Sequence, residues 1–517
     1  MQDDPFPAAE RILADIETVF KKDPELREFD IIPVTLNQNK SPVHHEEHCL
    51  GLESWCVRHV YCYAYHRLMD ARQQKHRRTD PSAISRMLLG ALLLNPDVQT
   101  FWNMRRELVE AGYLDASSEL HFTVVVLSKK PKSAEVFTHR KWLLRTLLKS
   151  NPDVRMLIDE ELRITQYAAD RYANNYHAWL HRMWCLTHIA PAITYAVELY
   201  ISEWSSSEAW ISMHVSDHSG LQYRQFLLKQ MCDLFTRPEN KSSITAILEV
   251  AQKSLHQYLL PFQNTRCSCK QDGFPNQEVS DKVIDSNSFE PTSHNCHLSM
   301  DQCTNSSVVI LLGLVISELL LNVDFITQFT GHEALWYHRR FALILLRSIL
   351  KGVGVNVWKN SNYRNVCRNK SDNNCCDEVE SNCKFSVLCC DILTKKNSHD
   401  LQRNKTRNDC CSSESLVDLM KGKNCLIEEY SINNTFGYLH SNCDALSTEK
   451  DQELITSTVS EEDIEICSLI SKCVLSHEEQ LIFRCETQDA NQQRLSAQHH
   501  HWLMNIMELP IQRLKLK

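Results

Sequence analysis

Five stretches of this chain repeat one short phrase: an aromatic or leucine residue placed three positions before an arginine. They are NPDVQTFWNMRR (95–106), SAEVFTHRKW (133–142), NNYHAWLHRMW (174–184), SDHSGLQYRQF (216–226) and GHEALWYHRRF (331–341). The pairs are Trp102 with Arg105, Phe137 with Arg140, Trp179 with Arg182, Leu221 with Arg224, and Trp336 with Arg339. On a helix, residues three apart share a face. The first four arginines are 35, 42 and 42 residues apart, a period that marks stacked helical hairpins. A weaker sixth copy, SAQHHHWLM (496–504), carries His500 at the arginine position.

Each phrase follows an apolar segment of helical spacing, such as ISRMLLGALLL (84–94) or MLIDEELRITQYAADRY (156–172). A short turn separates the two, as in NPD at 95, KPK at 130 and NN at 174. Each unit therefore reads as helix A, turn, helix B, with the arginine on helix B. The expected fold is all-α: an α–α superhelix of such hairpins. Only 11 glycines in 517 residues agree with helices better than with a doubly wound α/β fold.

The beats then spread, with 115 residues from Arg224 to Arg339 and 161 from Arg339 to His500. The added length is polar and rich in Asn, Ser and Cys, with little apolar periodicity. Such a composition buries too little surface to offset the loss of chain entropy. The expected organisation is an N-terminal helical segment (1–80), repeats one to four (81–263), a disordered insertion (264–306) and repeat five (307–351). A second disordered insertion (352–460) and C-terminal helices with a degenerate capping repeat (461–517) complete the chain.

A net charge of −9 speaks against nucleic acid as the main partner. The 22 cysteines lie mostly in 260–490, and no secretory signal is visible. Reduced thiols and a cytoplasmic location are expected. The amino end, MQDDPFPAAERILADIETVF, reads as an amphipathic helix. The most apolar run, VVILLGLVISELLLNV (308–323), is short for a bilayer and is interrupted by Glu318, so a buried core helix is expected rather than a transmembrane segment. The carboxyl end, LKLK, has no cysteine to prenylate. The cysteine pairs lack zinc-site spacing, and HHH at 499–501 falls inside the sixth repeat, so no metal site is expected.

The phrase is structural first. Its aromatic ring fills the gap between hairpins, and its guanidinium bonds carbonyls at a neighbouring helix end. PKSAEVFTHRKWLL (131–144) and NNYHAWLHRMW also resemble the tandem repeats of protein prenyltransferase α subunits. The resemblance covers about 80–260, 308–350 and the copy near 496. The Cys-rich insertions and divergent first unit are most similar to the orphan branch of prenyltransferase α-subunit repeat-containing proteins.

That resemblance implies a crescent of hairpins wrapped around a β subunit that holds the catalytic zinc and the isoprenoid pocket. No cofactor is implied in this chain itself. It implies that Lys132, eight residues before Arg140, approaches the isoprenoid diphosphate, where an ammonium steadies the leaving charge. It implies that Tyr176 and His177 lie near the same diphosphate and the peptide groove. On their residues alone, Lys132 is one solvated lysine beside Lys129 and Lys130, and Tyr176 and His177 are a helix start. Two positions depart from the family: Ala134 replaces a common tyrosine, and Asn174 a common lysine.

The implied function is that of an α subunit in a heterodimeric protein geranylgeranyltransferase. Its implied partners are a Rab-type β subunit, geranylgeranyl diphosphate and a cysteine-bearing acceptor, such as a SNARE-like protein already farnesylated once. The competing reading is a non-catalytic scaffold of the tetratricopeptide type, with a period near 34.

Overall fold

The computed structural model describes residues 8–34, 41–73, 80–150, 152–193, 196–235, 245–263, 306–355, 460–507 and 509. The bulk of both Cys-rich insertions and the last eight residues lie outside the described residues. The chain divides into two compact units, one of 1–349 with 480–499 and one of 350–479 with 500–517.

The first unit opens with α1 (Ala9–Lys22), whose Ile12, Leu13, Ile16 and Val19 form one buried stripe. The amphipathic reading of this segment is what the structure shows. A three-stranded sheet follows, which the sequence reading did not foresee: β1 (Glu28–Ile32), β2 (Val43–Glu46) and β3 (Cys49–Glu53). The order is β1-β3-β2, with β1 parallel and β2 antiparallel to β3.

The β2–β3 hairpin closes through Glu47 and His48, both at positive φ (44° and 65°). Non-glycine residues disfavour that region. Here Asp23 at the end of α1 holds the loop: its carboxylate accepts from His48 Nδ1 at 2.9 Å and His45 Nε2 at 2.8 Å.

Helical hairpins make up the rest of the first unit. α2 (Ser54–Gln73) packs on α3 (Pro81–Leu94), which pairs with α4 (Gln99–Glu110). Then come α5 (Ala116–Lys129) with α6 (Ala134–Leu147), α7 (Val154–Arg171) with α8 (Tyr176–His188), and α9 (Ala196–Met213) with α10 (His218–Phe235). The helix starts are capped as the turn residues suggest. Asp80, Asp115, Asp153 and Asn175 each accept from a backbone N–H in the first turn of α3, α5, α7 and α8. Each such cap is worth about 1 kcal/mol. The sheet is tied to α5, where Ser128 Oγ accepts from Phe29 N at 2.9 Å and the Leu26 carbonyl lies 2.6 Å from His121 Nε2.

After repeat four, α11 (Thr245–Gln263) lies along α12 (Ser307–Gln328). The two backbones meet at Gly313, where a Cβ would sit 2.6 Å from the Ala251 carbonyl oxygen. α12 is long and apolar enough to cross a membrane by length and composition, yet it is mostly buried inside the protein. It also packs on α10 and leads into α13 (Glu333–Gly352), so repeat five resumes the stack. α14 (Glu461–Glu486) and α15 (Ala490–Asn505) follow. Within the first unit, Gln492 of α15 accepts from Gly331 N at 2.9 Å and donates to the Ile326 carbonyl at 3.1 Å. In the second unit, Ile466, Cys467, Ile470, Cys473 and Val474 form a buried face of α14.

Candidate functional site

The repeat arginines are nearly inaccessible and lie in a regular network of carboxylates. Arg140 donates through Nε and Nη2 to Glu161, and through Nη1 to the Leu120 carbonyl (2.9 Å) and Thr123 Oγ1 (2.5 Å). Arg182 repeats this one unit later with Glu203, Leu162 and Thr165. Arg224 repeats it with Glu318, Trp204 and Ser207. Arg339 reaches the Leu319 carbonyl, with Asn322 Oδ1 at 3.5 Å.

Each glutamate joins two repeats. It takes the arginine of the preceding unit and the residue just before the arginine of its own unit. Glu161 thus faces His181 at 2.7 Å, Glu318 faces His338 at 2.5 Å, and Glu203 accepts from Tyr223. In the first unit, Arg105 pairs with Glu119, which has His139 at 3.6 Å. Its Nη1 has no hydrogen-bond partner, and the position seventeen residues before it, which carries Thr123, Thr165 and Ser207 in the following repeats, is Leu88.

Burial opposes charge on Glu119, Glu161 and Glu318, but the facing guanidinium and the histidine outweigh it and hold each carboxyl down to about 2. The expected carbonyl contact is present, but it falls on the arginine's own helix A, and the main partner is a carboxylate.

The aromatic positions run alongside. Trp102 packs at a tilt against His139 (4.7 Å), Phe137 against His181 (5.2 Å) and Trp336 against His499 (5.1 Å), while Trp179 stacks on Tyr223 (4.9 Å). Each ring meets the residue before the next arginine position, and for Trp336 that residue is His499. Leu221 is the one position of the five with no ring to offer.

Glu161, His181 and Cys185 place one ligand atom each within 4.8 Å of one another. They do not suit a metal ion. Glu161 is already committed to Arg140 and His181, and burial pushes the Cys185 thiol well above its usual value, keeping it protonated.

The three residues implied for the diphosphate lie at the turns of repeats two and three. Lys132 makes no hydrogen bond or ion pair among the described residues. Its ammonium rests 4.5 Å from the centre of the Tyr172 ring. Tyr176 is exposed and lies at a tilt against His177, ring centres 3.8 Å apart. Burial lowers His177 to about 4, and Lys132 and Lys141 press in the same direction against Asp97. His177 is therefore a neutral imidazole beside a free ammonium, an arrangement open to an anion. Lys132, Tyr176 and His177 are thus close together, and Tyr172 and Lys141, absent from the sequence reading, join them.

Both departures from the family pattern have a structural counterpart. Asn174 sits at φ +54°, which asparagine tolerates better than lysine. Its N–H donates to Asp217 Oδ2 at 2.7 Å and its Oδ1 accepts from His218 N at 2.9 Å, tying repeat three to repeat four. Ala134 begins α6, and the ring beside Lys132 is that of Tyr172.

Residues 116–147 and 158–189, the second and third hairpins, match the family described as protein prenyltransferase alpha subunit repeat. A protein prenyltransferase alpha subunit repeat-containing protein 1 from Homo sapiens is 32% identical over 372 residues, covering 66% of this chain and 79% of that protein. Its counterpart from Danio rerio is 32% identical over 354 residues, covering 65% and 72%. This chain belongs to the protein prenyltransferase alpha subunit repeat-containing family. Part of this chain is also similar to transferase subunits. The geranylgeranyl transferase type-2 subunit alpha of Rattus norvegicus is 30% identical over 159 residues, 29% of this chain and 25% of that protein.

Proposed function

We propose that this repeat-containing protein is the α-type subunit of a heterodimeric protein geranylgeranyltransferase. Its partner is a β subunit of the kind used by type-2 enzymes. The observation that carries the reading is the free Lys132 ammonium held beside neutral His177 and Tyr176. The sequence likeness to type-2 α subunits supports it from a second direction.

In the transfer, the sulfur of an acceptor cysteine attacks C1 of geranylgeranyl diphosphate. The S–C1 bond forms, the C1–O bond breaks, and diphosphate departs with the electron pair. Lys132 meets the growing charge with its side-chain nitrogen, and His177 as a neutral N–H donor whose basicity rises once the anion is present. Tyr176 borders the same opening. Activation of the thiol rests with the zinc expected in the β subunit, where coordination lowers a thiol's pKa. An acceptor that already carries one isoprenoid suits this role, because a second chain turns marginal membrane binding into stable anchoring.

The test is co-expression with a type-2 β chain and a geranylgeranyl-transfer assay on a cysteine-bearing acceptor. Lys132→Ala should lower the transfer rate by on the order of tenfold or more while the pair stays intact. Transfer at the wild-type rate would remove Lys132 from the chemistry. A stable pair that transfers nothing to singly farnesylated or unmodified acceptors would leave the non-catalytic scaffold in its place.

A further inference from the structure

A second group of cations lies on the B helices of repeats two and three, and no acid answers it. Lys141 and Arg145 of α6 make no hydrogen bond or ion pair among the described residues. Both rest on Trp184 of α8, Lys141 Nζ at 5.9 Å from the ring centre and Arg145 Cζ at 5.5 Å. His188 stacks on the same ring at 5.0 Å, nearly parallel. Trp184 is 9% exposed, and its indole Nε1–H is buried without a hydrogen-bond acceptor.

Burial pushes the Lys141 ammonium below its usual value, with Arg145 acting in the same direction. His188 is lowered first by burial, and Arg145 and Lys141 add to it against the Trp184 carbonyl. Three basic groups and an orphaned donor thus meet around one indole. Arg145 and His188 are exposed, whereas Lys141 is only part-exposed; a partly desolvated ammonium is costly unless an anion faces it. The stacking of a cation on a ring offsets part of that cost, but it leaves the charge and the indole N–H unanswered.

We propose that Lys141, Arg145, Trp184 and His188 form a docking point for carboxylate side chains on the protein partner of this subunit. The proposal rests on the reading above that such a partner exists and is a transferase β chain. It fixes the chemistry of one patch on that partner: acidic, with carboxylates placed to meet the Lys141 and Arg145 cations. Charged pairs that are exposed when apart and covered when together are sensitive both to salt and to charge reversal.

The experiment compares the wild-type chain with Lys141→Met/Arg145→Met, which keeps the apolar stems, and with Trp184→Phe, which keeps a ring and removes the N–H. Thermal unfolding of each chain is measured first to establish that the variants fold. Affinity for a type-2 β chain is then measured from low to high salt. The double variant should bind at least tenfold more weakly at low salt and show a flatter salt dependence, and Trp184→Phe should bind several-fold more weakly.

If the wild type binds and both variants bind equally well with the same salt slope, the docking proposal is wrong while the transferase reading stands. If the double variant keeps its β-chain affinity but raises KM for geranylgeranyl diphosphate, the anion at this patch is the diphosphate, and the proposal is equally overturned. If the wild type binds no β chain, both fall together.

Discussion

Arg140 and Lys141 are neighbours in sequence and have opposite fates. Arg140 is buried to 1% exposure, and its guanidinium is taken up by Glu161, a backbone carbonyl and a threonine hydroxyl. Lys141, one residue on, faces away from that network and lies over Trp184, near His177. The same contrast separates Arg182 from Lys132. Arg105, Arg140, Arg182 and Arg224 each meet a buried carboxylate, while the second set, at the turns and on the B helices, meets aromatic rings with no carboxylate beside them among the described residues. The first set holds the hairpins together. The second is what a partner or an anionic substrate meets.

The contrast is sharpest in stability. Glu161→Gln would leave Arg140 and His181 buried without their anion. It should cost about 3–5 kcal/mol in urea unfolding, as broken buried pairs do. Lys141→Met should stay within about 0.5 kcal/mol of wild type in the isolated chain. Equal effects from the two substitutions would erase the distinction between the sets. Removing both members, as in Arg140→Met/Glu161→Leu, should be less harmful than Glu161→Gln alone, because no buried charge is left unpaired.

Acid should act on the inward set. Glu119, Glu161 and Glu318 are held at about 2 against a usual value of 4.5. Groups depressed in this way contribute stability that is fully present above about 4.5 and is lost as pH falls toward 2. Unfolding free energy should therefore decline through that window, and Glu161→Gln should flatten the decline. A profile level from pH 5 to pH 2 would contradict the pairing.

The smallest expected effect concerns the outward set. Tyr172→Leu removes the ring beneath Lys132, an interaction worth about 0.5–1 kcal/mol at an exposed site. It should slow transfer a few-fold in the assembled enzyme, while Tyr172→Phe, which keeps the ring, should match wild type. Equal loss in both would point to the hydroxyl rather than to the ring.

The sequence carried the arginine beats plainly, because their period stands out over a background of helices. Their partners stand at the same period, with Glu119, Glu161 and Glu203 spaced 42 apart, but a glutamate on a helix is usually solvated, so spacing alone does not mark these as buried. Glu318 was visible only as a break in an apolar run. It is the partner of Arg224 across 94 residues, a distance that no local pattern spans. The small sheet escaped for a different reason. Its hairpin turns through Glu47 and His48, which lack the Asn-Gly signature, and it depends on Asp23 from another element. At the candidate site, motif position led to Lys132, Tyr176 and His177. Tyr172 and Lys141 belong to no motif position there and are brought in by the stacking of one hairpin on the next.

Native mass spectrometry of this chain co-expressed with a type-2 geranylgeranyltransferase β chain bears most directly on the claim that the outward cations await a partner. A one-to-one complex is expected, weakened by added salt and lost first in Lys141→Met/Arg145→Met. A chain that stays alone at every salt concentration, with the β chain present and folded, would contradict it.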